Sequence, residues 1–284
     1  MLKQRIITAV VLLAILLPAL FWPSPWPFAA ITLVLIAAAA WEFGRLNGCS
    51  EAAAVSLGVL CVALCAAAWG AGWLERPLPL LWIAAGGAWV LAGAVLLRGS
   101  VAGWPRIPRG VRLAGGLLAL WLAWIAVAQA RVAGINFLMS VLLLVWVADI
   151  AAYFAGRTFG LKFTRQKLAP SISPGKSWEG VWGGMLGVLV LAFAWVAADT
   201  HWRAEVPSLY TRLAGTGWWL VVLGAIFLAA MSVVGDLAES LVKRSAGAKD
   251  SSGLLPGHGG VLDRVDALLP TLPLAMMLAT LSSR

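Results

Sequence analysis

Apolar runs of near membrane-spanning length recur along the whole chain, separated by short polar or Pro/Gly-rich breaks. A helix needs about 20 apolar residues to cross the hydrocarbon core. Nine runs approach that length: Ile6–Phe21, Phe28–Trp41, Ala52–Leu74, Leu78–Leu97, Leu113–Ala130, Ile135–Ala155, Val181–Ala198, Trp218–Val234 and Asp263–Leu281. The second is short and extends toward Leu46. Lys3 and Arg5 followed by an apolar run resemble a secretion signal, but WPSPWPFAA and a further hydrophobic run follow without a small-x-small cleavage site. The first run therefore reads as a retained span. The pattern predicts an all-α, polytopic membrane bundle of about nine transmembrane helices. Residues 1–134 hold five spans, and residues 135–284 form a catalytic membrane region with polar loops at 156–180 and 236–266.

Composition agrees. At 62% hydrophobic and 12% charged, with 17 tryptophans, the chain is far from the soluble average of about 25% charged. Its net charge of +9 would point to nucleic acid in a soluble domain. In a membrane chain, Lys and Arg in short loops set topology and meet anionic headgroups, so no nucleic-acid partner is expected. Cys61 and Cys65 lie one turn apart in an apolar run and read as packing residues; Cys49 has no evident partner.

Loop charge fixes the expected orientation. With the N-terminus inside, the inner segments carry Lys3, Arg5, Arg45, Arg98, Arg106, Arg109, Arg112, Arg157, Lys162, Arg165, Lys167, Lys176, Lys243, Arg244 and Lys249. The outer ones carry only Arg76, Arg131, Arg203, Arg212 and Arg284. This bias predicts a cytoplasmic N-terminus and places both polar loops on the cytoplasmic side. The outer stretch Asp199–Gly217 reads as a polar loop, and its His201 is assigned no role. No internal repeat supports an inverted-repeat transporter.

The stretch from Gly235 to Ala267 packs charge and glycine between two uncharged runs. Asp236, Glu239, Ser240 and Lys243 share one helical face at the membrane boundary, where unpaired carboxylates are expensive. They call for a lysine, an arginine or a metal. Asp263 and Asp266 share a face in the first turn of the last span, where helix capping is the plain alternative. Carboxylates without a His/Cys set suit Mg²⁺ rather than zinc. Between them lies a glycine loop ending in His258, Gly259 and Gly260, bracketed by Lys243, Arg244, Lys249 and Arg264. Glycine loops and helix N-termini can hold phosphate. His258 could bond a phosphate or a loop carbonyl.

In the other polar stretch, Asp149, Tyr153 and Arg157 recur on one helical face. Ser173-Pro-Gly-Lys-Ser177 is too short for a Walker loop and follows no evident strand. Lys176 and Ser177 fit phosphate binding about as well as they fit a helix cap before span seven.

Ser240, Val242, Lys243 and Arg244, then Lys249, Asp250 and Ser252, then Leu255, Pro256, His258, Gly259, Gly260, Val261, Asp263, Arg264, Val265 and Asp266 resemble the signature of the phosphatidate cytidylyltransferases (CDP-diacylglycerol synthases). The blocks AYFAGRTFG and SPGKSWEG are similar to two further segments of that family, with departures at Ile150, Ala151 and Ser171. The specific likeness covers about 60 residues.

The resemblance implies transfer of a cytidylyl group from CTP to phosphatidic acid, with Mg²⁺ and the question of a second metal ion left open. It also implies a bacterial cytoplasmic (inner) membrane location among membrane lipids, and a homodimer. It implies Asp236 and Asp263 as metal ligands, with Asp266 and Glu239 assisting. Lys243, Arg244, Lys249, Arg264 and Lys176 would hold CTP or the leaving pyrophosphate, with Ser173, Ser177, Ser240, Asp250, His258, Gly259 and Gly260 as further site candidates. Tyr153 and Arg157 would line the cleft. The rivals are a polyprenol kinase, an ether-lipid cytidylyltransferase and, in another class, an ion-coupled transporter.

Overall fold

The structure, a computed structural model, describes residues 2–282, with side chains described from residue 4. Of the charges used for topology, the Lys3 side chain and Arg284 lie outside the described residues. Among the described residues nine helices are long and apolar enough to span a bilayer. In chain order the helices are α1 (Leu2–Phe21), α2 (Trp26–Leu46), α3 (Glu51–Gly70), α4 (Pro79–Gly103), α5 (Arg109–Ala133), α6 (Ile135–Phe159), α7 (Trp178–His201), α8 (Leu209–Thr216), α9 (Trp218–Ser245), α10 (Leu262–Val265) and α11 (Leu268–Ser282). The expected all-α membrane bundle is what forms.

Several helices overrun the apolar runs that announce them. α9 continues from Val234 to Ser245, so its last turns carry the polar face beyond the uncharged segment. The last span is broken: α10 stops at Val265 and α11 starts at Leu268, leaving Asp266 at the break.

Two loops differ from expectation. Lys167–Ala169 (β1) and Ser173–Ser177 (β2) form a small antiparallel hairpin where no strand was evident. The connection between α7 and α9 contains α8, whose N-cap Ser208 accepts from Thr211 N–H. Asp199 accepts from Asn136, from Ser208 N–H and from Thr211, and Tyr210 is wholly buried. Four polar side chains satisfy one another, and that removes the cost of burying them.

Without a hydrophobic drive between helices in lipid, close approach depends on small residues. The α6–α7 pair shows this: a Cβ on Gly183 would run into the Ala155 Cβ, and one on Gly184 would stand 2.9 Å from the Ala148 carbonyl oxygen. Arg131, near the end of α5, donates to the Leu20 and Trp22 carbonyls left open at the end of α1.

One end of the bundle gathers the charged loops. The Ser100 and Ser171 hydroxyls are 2.8 Å apart, Ser245 reaches the Val101 carbonyl, Arg109 reaches the Gly48 carbonyl, and Thr8 near the start of α1 donates to the Pro256 carbonyl. The two polar stretches therefore share an end with the start of α1.

Candidate active site

α9 carries three of the site's charges past the apolar run, and each finds a partner on another turn or segment. Asp236 accepts from Lys176 of β2 at 2.5 Å and from Ser240, one turn on, at 3.2 Å. Lys243 stands 2.5 Å from both Glu239 and Asp263. The hairpin thus delivers Lys176 to α9, and α10 delivers Asp263. Burial makes these pairs necessary: Glu239 is 5% exposed, and the Asp263 side chain 7%.

Asp263 organises the loop before it. Its Oδ2 accepts from Ser251 N–H (2.9 Å), the Ser251 hydroxyl (2.9 Å) and Gly260 N–H (2.8 Å). The cradle of backbone N–H groups that the glycines suggest is therefore occupied by the chain's own carboxylate. Leu255 N–H donates to the Gly259 carbonyl and His258 N–H to the Leu255 carbonyl, closing a tight turn. Arg264 clasps the His258 carbonyl through Nε and Nη2. His258 Nδ1 is buried and without a hydrogen-bond partner.

The loop has a second anchor that the sequence reading missed. Glu42 of α2, completely buried, accepts from Ser251 and Ser252 hydroxyls (3.1 and 2.5 Å) and from Val261 and Leu262 N–H groups (3.0 and 2.7 Å). Its sequence signal was a carboxylate directly at the end of the Phe28–Trp41 apolar run, a costly placement that calls for partners. A Cβ on Gly260 would collide with the Ser251 hydroxyl and stand 2.5 Å from a Glu42 oxygen. Gly260→Ala is expected to lower stability by about 1–3 kcal/mol through this crowding, read as a fall in thermal midpoint in detergent.

The remaining candidates fall into two groups. Arg244, Lys249, Asp250 and Arg264 are exposed around the loop, and Arg244 donates to the Ala248 carbonyl. Arg157 donates to the Tyr153 hydroxyl, and both are exposed at the same end of α6. Ser177 caps α7, accepting from Gly180 N–H, which is the capping alternative. Ser173 opens β2. Glu179, behind the hairpin, accepts from Phe163 N–H, Thr164 N–H and the Thr164 hydroxyl, fixing the connection that carries Lys176. Asp149 on α6 lies within Coulombic reach of Asp236 and Lys176, and Asp266 within reach of Asp236 and Asp149.

The donor chemistry can be tested against a divalent cation. The acidic groups around Asp236 and Asp263 are all carboxylates, hard oxygen donors of the kind Mg²⁺ takes. Among the described residues no three acidic, His or Cys side chains already converge as a finished metal site. A cation here would draw on one or two carboxylates and on substrate phosphate oxygens, the usual Mg²⁺ arrangement. On that basis the residues fit.

Fold and site together define an integral membrane protein with a carboxylate and ammonium cluster at one end of its bundle, framed by exposed cations. The chain matches the Cytidylyltransferase family over residues 3–282 and belongs to it. It is 41% identical over 283 residues to the phosphatidate cytidylyltransferase of Pseudomonas aeruginosa, covering 96% of this chain and 95% of that one. It is 35% identical over 293 residues to the Haemophilus influenzae protein of the same name, covering 96% of each. The Brucella suis protein, also so named, is 35% identical over 279 residues, covering 94% of this chain and 89% of its own. The chain is a nucleotidyltransferase.

Proposed function

We infer that the protein transfers the cytidylyl group of CTP to phosphatidate, forming CDP-diacylglycerol and pyrophosphate. A phosphatidate phosphate oxygen attacks the α-phosphorus of CTP; the bond from that phosphorus to the bridging oxygen breaks, and pyrophosphate leaves with the electron pair. The attacking group is already an anion at neutral pH, so the site needs no strong base. What it needs is charge neutralisation and alignment. The observation that carries the reading is the cluster in which Lys176 meets Asp236 and Lys243 meets Glu239 and Asp263, in a chain related along nearly its whole length to named phosphatidate cytidylyltransferases.

Asp236 and Asp263 would hold Mg²⁺, with Asp266 and Glu239 assisting. Bound there, Mg²⁺ would supply Lewis-acid stabilisation of phosphate charge. Lys176 and Lys243 would exchange carboxylate partners for phosphate oxygens. Arg244, Lys249 and Arg264 are exposed, so they can meet the β- and γ-phosphates without breaking a buried pair. Tyr153 and Arg157, exposed at the same end, would meet the lipid phosphate. The excess of Lys and Arg at this end supports a cytoplasmic orientation, and the bacterial relatives support the inner membrane.

The test incubates detergent-purified full-length protein with CTP, phosphatidate and Mg²⁺, with a polyprenol and an ether lipid in parallel. Equimolar CDP-lipid and pyrophosphate from phosphatidate are expected, with turnover lost on adding EDTA and restored by excess Mg²⁺. No product across lipids and metals would overturn the reading, and EDTA-resistant turnover would overturn the metal assignment.

A further inference from the structure

α9 presents a second face that the ionic cluster does not use. At 100° per residue, Gly235, Ala238 and Val242 point away from Asp236 and Ser240, with Glu239 at the border. They form one wall of a cavity of about 370 Å³ whose other walls come mainly from α4 and α5, with Phe43 of α2, Leu262 of α10 and Leu269 of α11 closing it. That volume lies in the range of small-molecule sites. Trp89, Ala92, Leu96, Gly115 and Ala119 line it. Val95, Val111 and Leu118, also on its walls, are exposed on the surface of membrane-spanning helices, so the cavity opens sideways toward lipid.

Two charged side chains reach this apolar space, Arg112 and Glu239. The Arg112 guanidinium lies 5.7 Å from the Trp104 ring centre, and its Nε is buried without an acceptor. Glu239 is 5% exposed; Lys243 stands close to Oε2, yet neither oxygen has an aligned hydrogen-bond donor. A buried guanidinium nitrogen lacking an acceptor calls for an oxygen ligand. An apolar cavity open to the bilayer calls for a hydrocarbon chain. Through Glu239 it borders the Lys243–Asp263 pair.

We propose that this cavity receives an acyl chain of the lipid substrate, with Arg112 Nε donating to an acyl ester oxygen at its mouth. The facing walls of α4 and α5 then set the enzyme's chain-length preference. This rests on the lipid cytidylyl-transfer reading.

Two measurements test it on the full-length protein. In the first, wild-type protein in detergent is photolabelled with phosphatidate carrying a diazirine in its acyl chain. Adducts on α4 and α5 that excess unlabelled phosphatidate suppresses are expected. Adducts confined to other helices, or adducts that do not compete, would overturn the proposal. In the second, Ala92→Phe and Ala119→Phe shorten the cavity by several methylenes. kcat/KM for dipalmitoyl relative to dioctanoyl phosphatidate is expected to fall about tenfold, with KM for CTP unchanged. An unchanged ratio in both variants would overturn it. Were wild-type protein to form no CDP-lipid at all, the reaction reading would fail, and the photolabel would still report on the cavity.

Discussion

Asp263→Asn is expected to reduce turnover by about 10²–10³-fold, in line with the loss of an electrostatic transition-state stabiliser. The substitution is nearly isosteric, so the effect is chemical. Oδ2 accepts three hydrogen bonds, from Ser251 N–H, the Ser251 hydroxyl and Gly260 N–H, while Oδ1 faces the Lys243 ammonium. An amide nitrogen cannot accept. Turned toward the loop, it orphans the two backbone N–H donors; turned toward Lys243, it sets a donor against a donor. Neither orientation works, and the negative charge a cation would need is gone in both. The bundle itself rests on apolar packing elsewhere, so insertion and the thermal midpoint of the helices should be largely retained. Turnover within tenfold of wild type would remove Asp263 from the site.

Glu42→Ala is expected to be nearly as damaging from a residue that touches no substrate. It takes away the carboxylate that four donors share, and three of them, the Ser252 hydroxyl and the Val261 and Leu262 N–H groups, lose their acceptor outright. Breaking a buried charged network of this kind costs about 3–5 kcal/mol. Because all four donors belong to residues 251–262, the loss should appear as a loosened loop: faster proteolysis between Lys249 and Arg264, and a drop in kcat of about 10²-fold or more. Glu42→Gln keeps one carboxylate-like oxygen and should retain an intermediate activity. Equal activity for the alanine and glutamine variants would show that the hydrogen bonds do not position the loop. An unchanged proteolysis pattern would show the same.

Particular residues show how far the sequence could be read. The nine spans were legible because an apolar run of fixed length is a local property. So was the helical face of Asp236, Ser240 and Lys243, which follows from periodicity. The hairpin that carries Lys176 was not legible, since Lys167–Ala169 and Ser173–Ser177 are too short and polar for any period to appear. α8 was hidden for another reason: capped by Ser208, it buries Leu209, Tyr210 and Leu213 on one face, but at eight residues the pattern is too short to stand out. The glycine loop was read as a cradle for an external anion, whereas Gly260 N–H is committed to Asp263.

The sequence by itself determined the membrane bundle, the crowding of charge into two stretches, and the family signature between Ser240 and Asp266. Each follows from forces acting along one segment: hydrocarbon length, helical period, and the cost of placing polar groups near lipid. Only the tertiary structure decided the partners. It matched Lys176 with Asp236, shared Lys243 between Glu239 and Asp263, and brought Glu42 to a loop 209 residues away in the chain. It also shaped the cavity that α4 and α5 enclose with α9. Such choices depend on which helices lie side by side, and no local pattern encodes that. In a low-dielectric interior, every buried charge must be met by whichever group packing brings within reach.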